Sequence, residues 1–439
     1  MRMGTSRRRF SNPLLIAALA MSAVAVGPIS AMASEDLDDP VVLAEQAVAR
    51  NPGIDALESR IAALESRARA VQRFGDPVFA LEYSNVPWNT WALDDSPMSG
   101  VQLKLQQTFP LPGKNRRREA VVLQDTEARR WELEERKLQL AGKVQEAYWT
   151  LALTRQLQAI TTKHIDLVDS LLESVRAKYQ TGSVGQHDLL RLQVLRDRLE
   201  DDLKDFTERD RSLTATINAA LHREVTTPIG TPETVSPVKP TWTLEALESA
   251  ASEHRPWLKQ LEAEANARRA AADLARYERW SDVTVWAGYR IRSAAAPDPG
   301  TDFFSVGVAV PLPLDFLGRS SARAAEERES AEAIEQTRLS VVDQIADMLA
   351  SSLAAWERAA GKAEFYLGKL IPDATTTLDA TLTAYRVDRA DFASLYQAEL
   401  QLLEFDRALR EAVVETRIRS IQVETLAGTL VTVSGSKGE

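Results

Sequence analysis

The sequence predicts a mixed α/β membrane protein made from one unit used twice. Four strands per chain join those of other subunits in a β-barrel, which long helices continue as an α-helical barrel. Two observations carry this reading. The segment TFPLPGKNRRREAV at 108–121 recurs in outline as AVPLPLDFLGRSSARA at 309–324. Each copy leaves an alternating apolar segment through Pro-Leu-Pro and enters a long charged helical stretch.

The elements follow in order. Arg2 and Arg7 to Arg9 precede the apolar run LLIAALAMSAVAV, and Ala31-Met32-Ala33 offers a cleavage site before Ser34. Residues 1–33 are therefore expected to be a secretory signal, the alternative being an uncleaved membrane anchor. The first repeat, 34–225, starts with a helix over 43–74, and the second, 243–427, with its counterpart over 244–280. Asn51-Pro52 matches Arg255-Pro256, and each proline opens a fresh helical run. A hairpin at 77–109 has its match at 282–312, with period-2 alternation in both. Beyond the prolines, residues 114–178 and 320–370 read as long helices, with Pro372 a candidate break. Tips are expected near 180–187 and 385–392, each followed by a returning helix. Residues 226–242 are a proline-rich connector and 428–439 a flexible tail.

Four strands cannot close a barrel, and open sheet edges are not tolerated in lipid, so closure must come from other subunits. Three chains would bring the count to twelve strands, and the candidate strands approach the 9 to 11 residues of a membrane-spanning strand. The alternation assigns Phe79, Leu81, Tyr83, Leu103, Leu105, Val283, Val285, Tyr289, Phe304, Val306 and Val308 to lipid. It assigns Glu82, Gln102, Lys104, Gln106, Thr284 and Arg290 to the water-filled lumen. Trp88, Trp91 and Phe109 lie near strand ends, where aromatic residues can sit at the interface. At the strand-to-helix junctions, Pro110, Pro112, Pro311 and Pro313 lack the N–H that a ladder needs, and Gly113 and Gly318 suit the turn. The helices carry Leu, Ala and Val at intervals of three and four among charged residues, so they must pack laterally, which around a ring gives a second tube.

At Tyr179-Gln180-Thr181-Gly182-Ser183-Val184, followed by Asp188-Leu189-Leu190-Arg191-Leu192-Gln193, the chain resembles the TolC-type outer membrane efflux factor family. The duplicated plan over about 40–425 is the stronger likeness, and Thr-Phe-Pro-Leu-Pro-Gly-Lys is similar to the junction of the CzcC-like heavy-metal branch. The resemblance implies a homotrimer: a twelve-stranded barrel in the outer membrane of a Gram-negative bacterium, with its helical part in the periplasm. It further implies a periplasmic adaptor protein, an inner-membrane pump of the RND type, and passive conduction of heavy-metal cations. By position, Gly182, Ser183, Val184, Arg386, Asp388, Arg389 and Ala390 would meet the adaptor. Asp388 stands where the first copy has Gly182, a departure from the pattern.

Read from the residues, Asp188, Asp388 and Asp391 are candidates for a threefold ring of charge constricting the pore, with ordinary helix capping as the plain alternative. Tyr179 and Tyr385 read as packing residues at the tips. No catalytic residue, cofactor or metal site is expected. His164, His187, His222 and His254 are scattered, and outside the signal the methionines are Met98 and Met348. Zero cysteines exclude disulfides, thiol catalysis and a lipid anchor on cysteine. With a net charge of −10 and no basic patch, nucleic acid is not an expected partner. Two other functions remain open at this stage: an outer-membrane component of type I protein secretion or drug efflux, and a non-transport periplasmic coiled-coil structural protein.

Overall fold

The computed structural model describes residues 39–312, 318–387 and 389–430. The expected signal, Pro313, Asp388 and residues 431–439 of the expected tail lie outside the described residues. Helices α1 (Pro40–Arg50) and α2 (Pro52–Val71) lead into β1 (Val78–Ser84) and β2 (Gly100–Phe109), then α3 (Lys114–Gln180) and α4 (Gln186–Ala220). The plan repeats as α5 (Leu244–His254), α6 (Pro256–Tyr277), β3 (Val283–Ile291), β4 (Phe303–Ala309), α7 (Arg319–Phe365), α8 (Ile371–Arg386) and α9 (Phe392–Ala427).

Local chemistry sets the boundaries. Asp39 caps α1 by accepting from the Val41 N–H at 2.8 Å, and Asn51 ends that helix while its side chain accepts from Gly53 N–H at 2.9 Å to start α2. Pro52 and Pro256 occupy first helical positions, where a missing N–H costs nothing. The 67 residues of α3 span about 100 Å at the helical rise. Its core face runs through Ala141, Val144, Tyr148 and Leu151, all nearly inaccessible to solvent.

The candidate break at Pro372 takes the form of a local change in helix type. A single π-helical turn, Tyr366–Leu370, precedes it, and α8 continues with Pro372 in its first turn. The wider turn accommodates the ring and the lost hydrogen bond without ending the rod.

α3 is the central stave. It packs against α2 and α6 along part of its length and against α4 and α9 along the rest, while α7 lies against α6 and α9. One apolar cluster, including Val168, Leu172, Leu195, Leu378 and Leu395, holds the two helical hairpins together near their tips. Another seats α1 on α3 through Leu43, Ala47, Val144 and Tyr148 and takes in Ile229 and Leu430. The connector is tied down as well: Val238 N–H donates to Thr416 Oγ1 at 2.9 Å, and Trp356 Nε1–H to the Val238 carbonyl at 2.7 Å. Gly428 caps α9 at φ 73°, and Leu430 is buried, so these residues of the expected flexible tail are packed.

Two buried polar ties join the repeats. Arg255 Nη2 meets Glu135 Oε1 at 2.7 Å, with both side chains under a tenth exposed. His164 Nδ1 lies 2.5 Å from Glu399 Oε1, and its Nε2 lies 3.6 Å from Asp406 Oδ2. Burial alone would lower the imidazole pKa, but hydrogen bonds and charge from Asp406 and Glu399 outweigh it and raise it to about 9.

A folded pKa above the ordinary 6.5 means that this protonation stabilises the fold fully below about pH 6.5, and that the contribution is lost as pH rises through about 9. The thermal midpoint of the detergent-solubilised protein, followed by circular dichroism, should therefore fall between those limits. His164→Gln should flatten that part of the profile; an unchanged slope would assign it to other groups.

Candidate functional site: sheet faces, junctions and tips

The four strands form one antiparallel sheet in the order β1-β2-β3-β4, so the two repeats join through β2 and β3. The register sorts the side chains. Phe79 opposes Leu105, Leu81 opposes Leu103, Leu103 opposes Tyr289, Val285 opposes Val308, Ala287 opposes Val306, and Tyr289 opposes Phe304. These residues share one face, and in the single chain they are uncovered: Leu81 is 67% exposed, Val306 69% and Phe304 70%. An apolar face of this size would not persist in water without a cover.

The other face is polar. Glu82 opposes Gln102, Gln102 opposes Arg290, Gln106 opposes Trp286, and Thr108 opposes Thr284. Arg290 Nη2 donates to Ser84 Oγ at 3.0 Å and to Gln102 Oε1 at 3.2 Å. Lys104 Nζ sits 4.9 Å from the centroid of Trp286. Trp286 in turn lies over Gly307, where any Cβ would come within 2.5 Å of the indole. The small residue on β4 thus makes room for the indole to lie over it.

Both junctions begin their helices in the same way. Gly113 at φ 90° precedes α3, and Gly318 at φ 81° precedes α7, each in the left-handed region that a side chain resists. Tyr277 Oη–H donates to the Pro112 carbonyl at 2.6 Å, and the Arg117 guanidinium stacks on Tyr277 at 3.9 Å. Lys114, the first residue of α3, is buried and pairs with Asp282 just before β3 at 2.8 Å. Pro110 is half-buried, while Pro112 and Pro311 are exposed.

At the first tip, Gly182 has φ 74°, and the N–H groups of Gly182 and Ser183 donate to the carbonyls of Tyr179 and Lys178 at 3.0 and 2.9 Å. Gly182 and Ser183 are exposed, whereas Val184 packs on the apolar cluster beneath. At the second tip Arg386 and Arg389 are exposed and Ala390 packs inward. Asp391 caps α9, accepting from Ser394 N–H at 2.9 Å, and the hydrogen bonds from Ser394 hold its carboxyl below the usual carboxylate range. Asp188 lies in the first turn of α4, its Oδ1 3.1 Å from His187 Nε2. The tyrosines differ. Tyr385 is 2% exposed and receives Lys178 Nζ on its carbonyl at 2.8 Å and over its ring at 4.2 Å, but Tyr179 is 44% exposed. The packing expectation for Tyr179 is therefore corrected: at the last turn of α3 it is largely exposed. Phe109 is also separated from Trp88 and Trp91. It meets Phe74 at 5.6 Å at the helical end of the sheet, while both tryptophans are exposed in the loop at the far end.

The Lys114–Asp282 and Lys178–Tyr385 contacts, and the fit of Trp286 on Gly307, carry no local sequence signal because each joins residues of different strands or hairpins. Among the described residues no group of His, Asp and Glu could hold a metal ion, and no helix is long and apolar enough to cross a membrane.

Comparison with known proteins gives the arrangement a context. Residues 247–429 match the family model described as outer membrane efflux protein. No curated protein matches the sequence. The fold is similar to the outer-membrane channel OprN at a TM-score of 0.74 and 16% identity, covering 90% of this chain and 91% of that one. It is similar to VceC from Vibrio cholerae at 0.72 and 17% identity, covering 88% and 95%. The open state of the Neisseria gonorrhoeae MtrE outer membrane channel superposes at 0.71 and 15% identity, covering 90% of each chain. The family model thus matches the second repeat, and the solved outer-membrane channels share the fold of the whole chain.

The junction geometry makes a signed prediction. Gly113→Ala places a side chain at φ 90° and should destabilise by roughly 1–2 kcal/mol. Gly361→Ala, in α7 with open space around its Cβ, should stabilise by about 0.5–1 kcal/mol. Opposite shifts in the thermal midpoints of the two variants are the expected result.

Proposed function

We propose that the chain is the outer-membrane exit duct of a tripartite efflux system. Three chains close a twelve-stranded barrel, and their helices continue it into the periplasm. The observation that carries this reading is the sheet itself: an uncovered apolar face, an opposed polar face, and outer edges on β1 and β4 without partners among the described residues. Lipid satisfies the first, a water-filled lumen the second, and neighbouring copies the third. β1 and β4 have 7 residues each in the single chain. On the second edge the apolar alternation runs on to Val310 and Leu312, and both are exposed.

In this reading the face with Phe79, Leu103, Val285 and Val306 meets acyl chains, and Glu82, Gln102, Lys104, Gln106, Thr284 and Arg290 line the lumen. The tips around Gly182 to Val184 and Arg386 to Ala390 receive a periplasmic adaptor that links the duct to an inner-membrane pump of the RND type. Asp188, Asp388 and Asp391 are the aspartates we assign to a pore constriction; capping α9 keeps the Asp391 carboxylate ionised. Cargo crosses without chemistry. We infer heavy-metal cations as that cargo from the likeness of the Thr-Phe-Pro-Leu-Pro-Gly-Lys junction to the heavy-metal branch.

Electron microscopy of the detergent-extracted protein should show elongated trimers with a short membrane belt. Environment-sensitive labels at Leu103 and Val306 should report acyl chains, and labels at Gln102 and Gln106 should report water. A monomer, or water at all four positions, would reject the duct. Deletion should sensitise cells to zinc, cobalt, cadmium or copper; sensitivity to hydrophobic antibiotics alone would instead assign drug efflux.

A further inference from the structure

At the end of the sheet where the long helices leave, arginines gather in a chain whose net charge is −10. Arg117 of α3, Arg276 in the last turn of α6 and Arg279 just beyond it line a cleft of about 640 Å³, together with Tyr277, Trp280 and, among the described residues, one carboxylate, Asp273. Asp273 is 3.5 Å from Arg276. Among the described residues, neither Arg117 nor Arg279 is in an ion pair. Each rests on an aromatic ring instead, Arg117 on Tyr277 at 3.9 Å and Arg279 on Trp280 at 4.9 Å. The Tyr277 hydroxyl is itself anchored to the Pro112 carbonyl, so the stacking platform is fixed. Arg117 gives one N–H to the Gly113 carbonyl at 3.3 Å; the N–H groups left on the two stacked guanidiniums form planar forks that match the oxygens of a phosphate group.

The surroundings select the source of the phosphate. The apolar sheet face ends at Phe109, which meets Phe74 edge-on, and Trp280 is half exposed. Moving toward the helices, the order is therefore apolar side chains, then aromatic rings, then arginines. A bilayer presents the matching order of acyl chains, interface and phosphate.

We infer that this cleft binds the phosphodiester headgroup of a glycerophospholipid in the inner leaflet, with preference for lipids of net negative charge. The inference rests on the outer-membrane reading above and adds to it a lipid site with named contacts. Arg117 and Arg279 grip the phosphate, and the two cations in excess of Asp273 disfavour a zwitterionic headgroup.

The test uses the delipidated full chain in detergent, titrated with phosphatidylglycerol or phosphatidylcholine and read by native mass spectrometry. Wild-type protein should retain phosphatidylglycerol over phosphatidylcholine, and millimolar inorganic phosphate should not displace it. The double variant Arg117→Gln/Arg279→Gln should bind phosphatidylglycerol about 30-fold more weakly. Arg211→Gln, at an exposed position on α4, should bind as wild type does. Equal retention by wild type and the double variant, loss on Arg211→Gln as well, or displacement by inorganic phosphate would each overturn the site. Insertion into vesicles is scored separately. Wild-type protein that inserts but does not discriminate between lipids refutes the site and leaves the duct standing, whereas failure to insert refutes both.

Discussion

The constraint on which the rest of the structure depends is the pairing of backbone groups at the edges of a sheet that is too small to close. Among the described residues, β1 and β4 each have a neighbour on one side only. In water such edges would be solvated, but the face between them is lined with Leu, Val, Phe and Tyr that water would not leave uncovered. In lipid the face is satisfied and the edges are not. Only partners that extend the sheet meet both requirements at once, which makes the proposed association part of the fold and not an addition to it.

The same demand explains why the repeats interlock. A duplication can produce two separate bodies, but here β2 pairs with β3, and α3 of the first repeat packs on α6 and α9 of the second. The polar ties Lys114–Asp282, Glu135–Arg255 and His164–Glu399 all cross between repeats, and each has at least one deeply buried partner. Buried Lys or Arg pairs such as the first two contribute little net stability, because desolvation offsets most of the attraction, whereas the His164 pair stabilises while the imidazole is protonated. We take their role to be register. A 67-residue helix has many sliding alternatives against its neighbours, and a displaced Lys114, Glu135 or His164 would leave a charge unpaired in the interior.

Much of this was legible in the sequence because it is local. Period-2 alternation placed Phe79, Leu81, Leu103 and Leu105 on one side and Glu82, Gln102 and Lys104 on the other, and the register keeps them so. Gly113 and Gly318 were legible from the turn that their segments require. What was hidden depends on distant partners. Tyr179 and Tyr385 hold equivalent places in the two repeats, yet only Tyr385 is covered, with Lys178 reaching it from the other hairpin. Pro372 reads only as a candidate break, because the π turn that precedes it depends on backbone geometry that no residue type announces. The partnership of His164 with Glu399 and Asp406 spans two helices far apart in the chain, so its significance emerges only when α3 and α9 meet.

The polar sheet face also bears on selectivity in the proposed duct. A wall meant to draw cations would carry carboxylates in excess, but on the polar face of these strands one carboxylate, Glu82, stands with two cations, Lys104 and Arg290. Both cations are held to the wall, Arg290 by Ser84 and Gln102 and Lys104 over Trp286. Trp286 itself lies over the space left by Gly307. Side chains fixed along a wall in this way keep a passage wide without offering a binding site, and a conduit that held its cargo tightly would slow release. Discrimination in such a system therefore has to be made before the cargo reaches the sheet, at the tips or by the proteins that meet them.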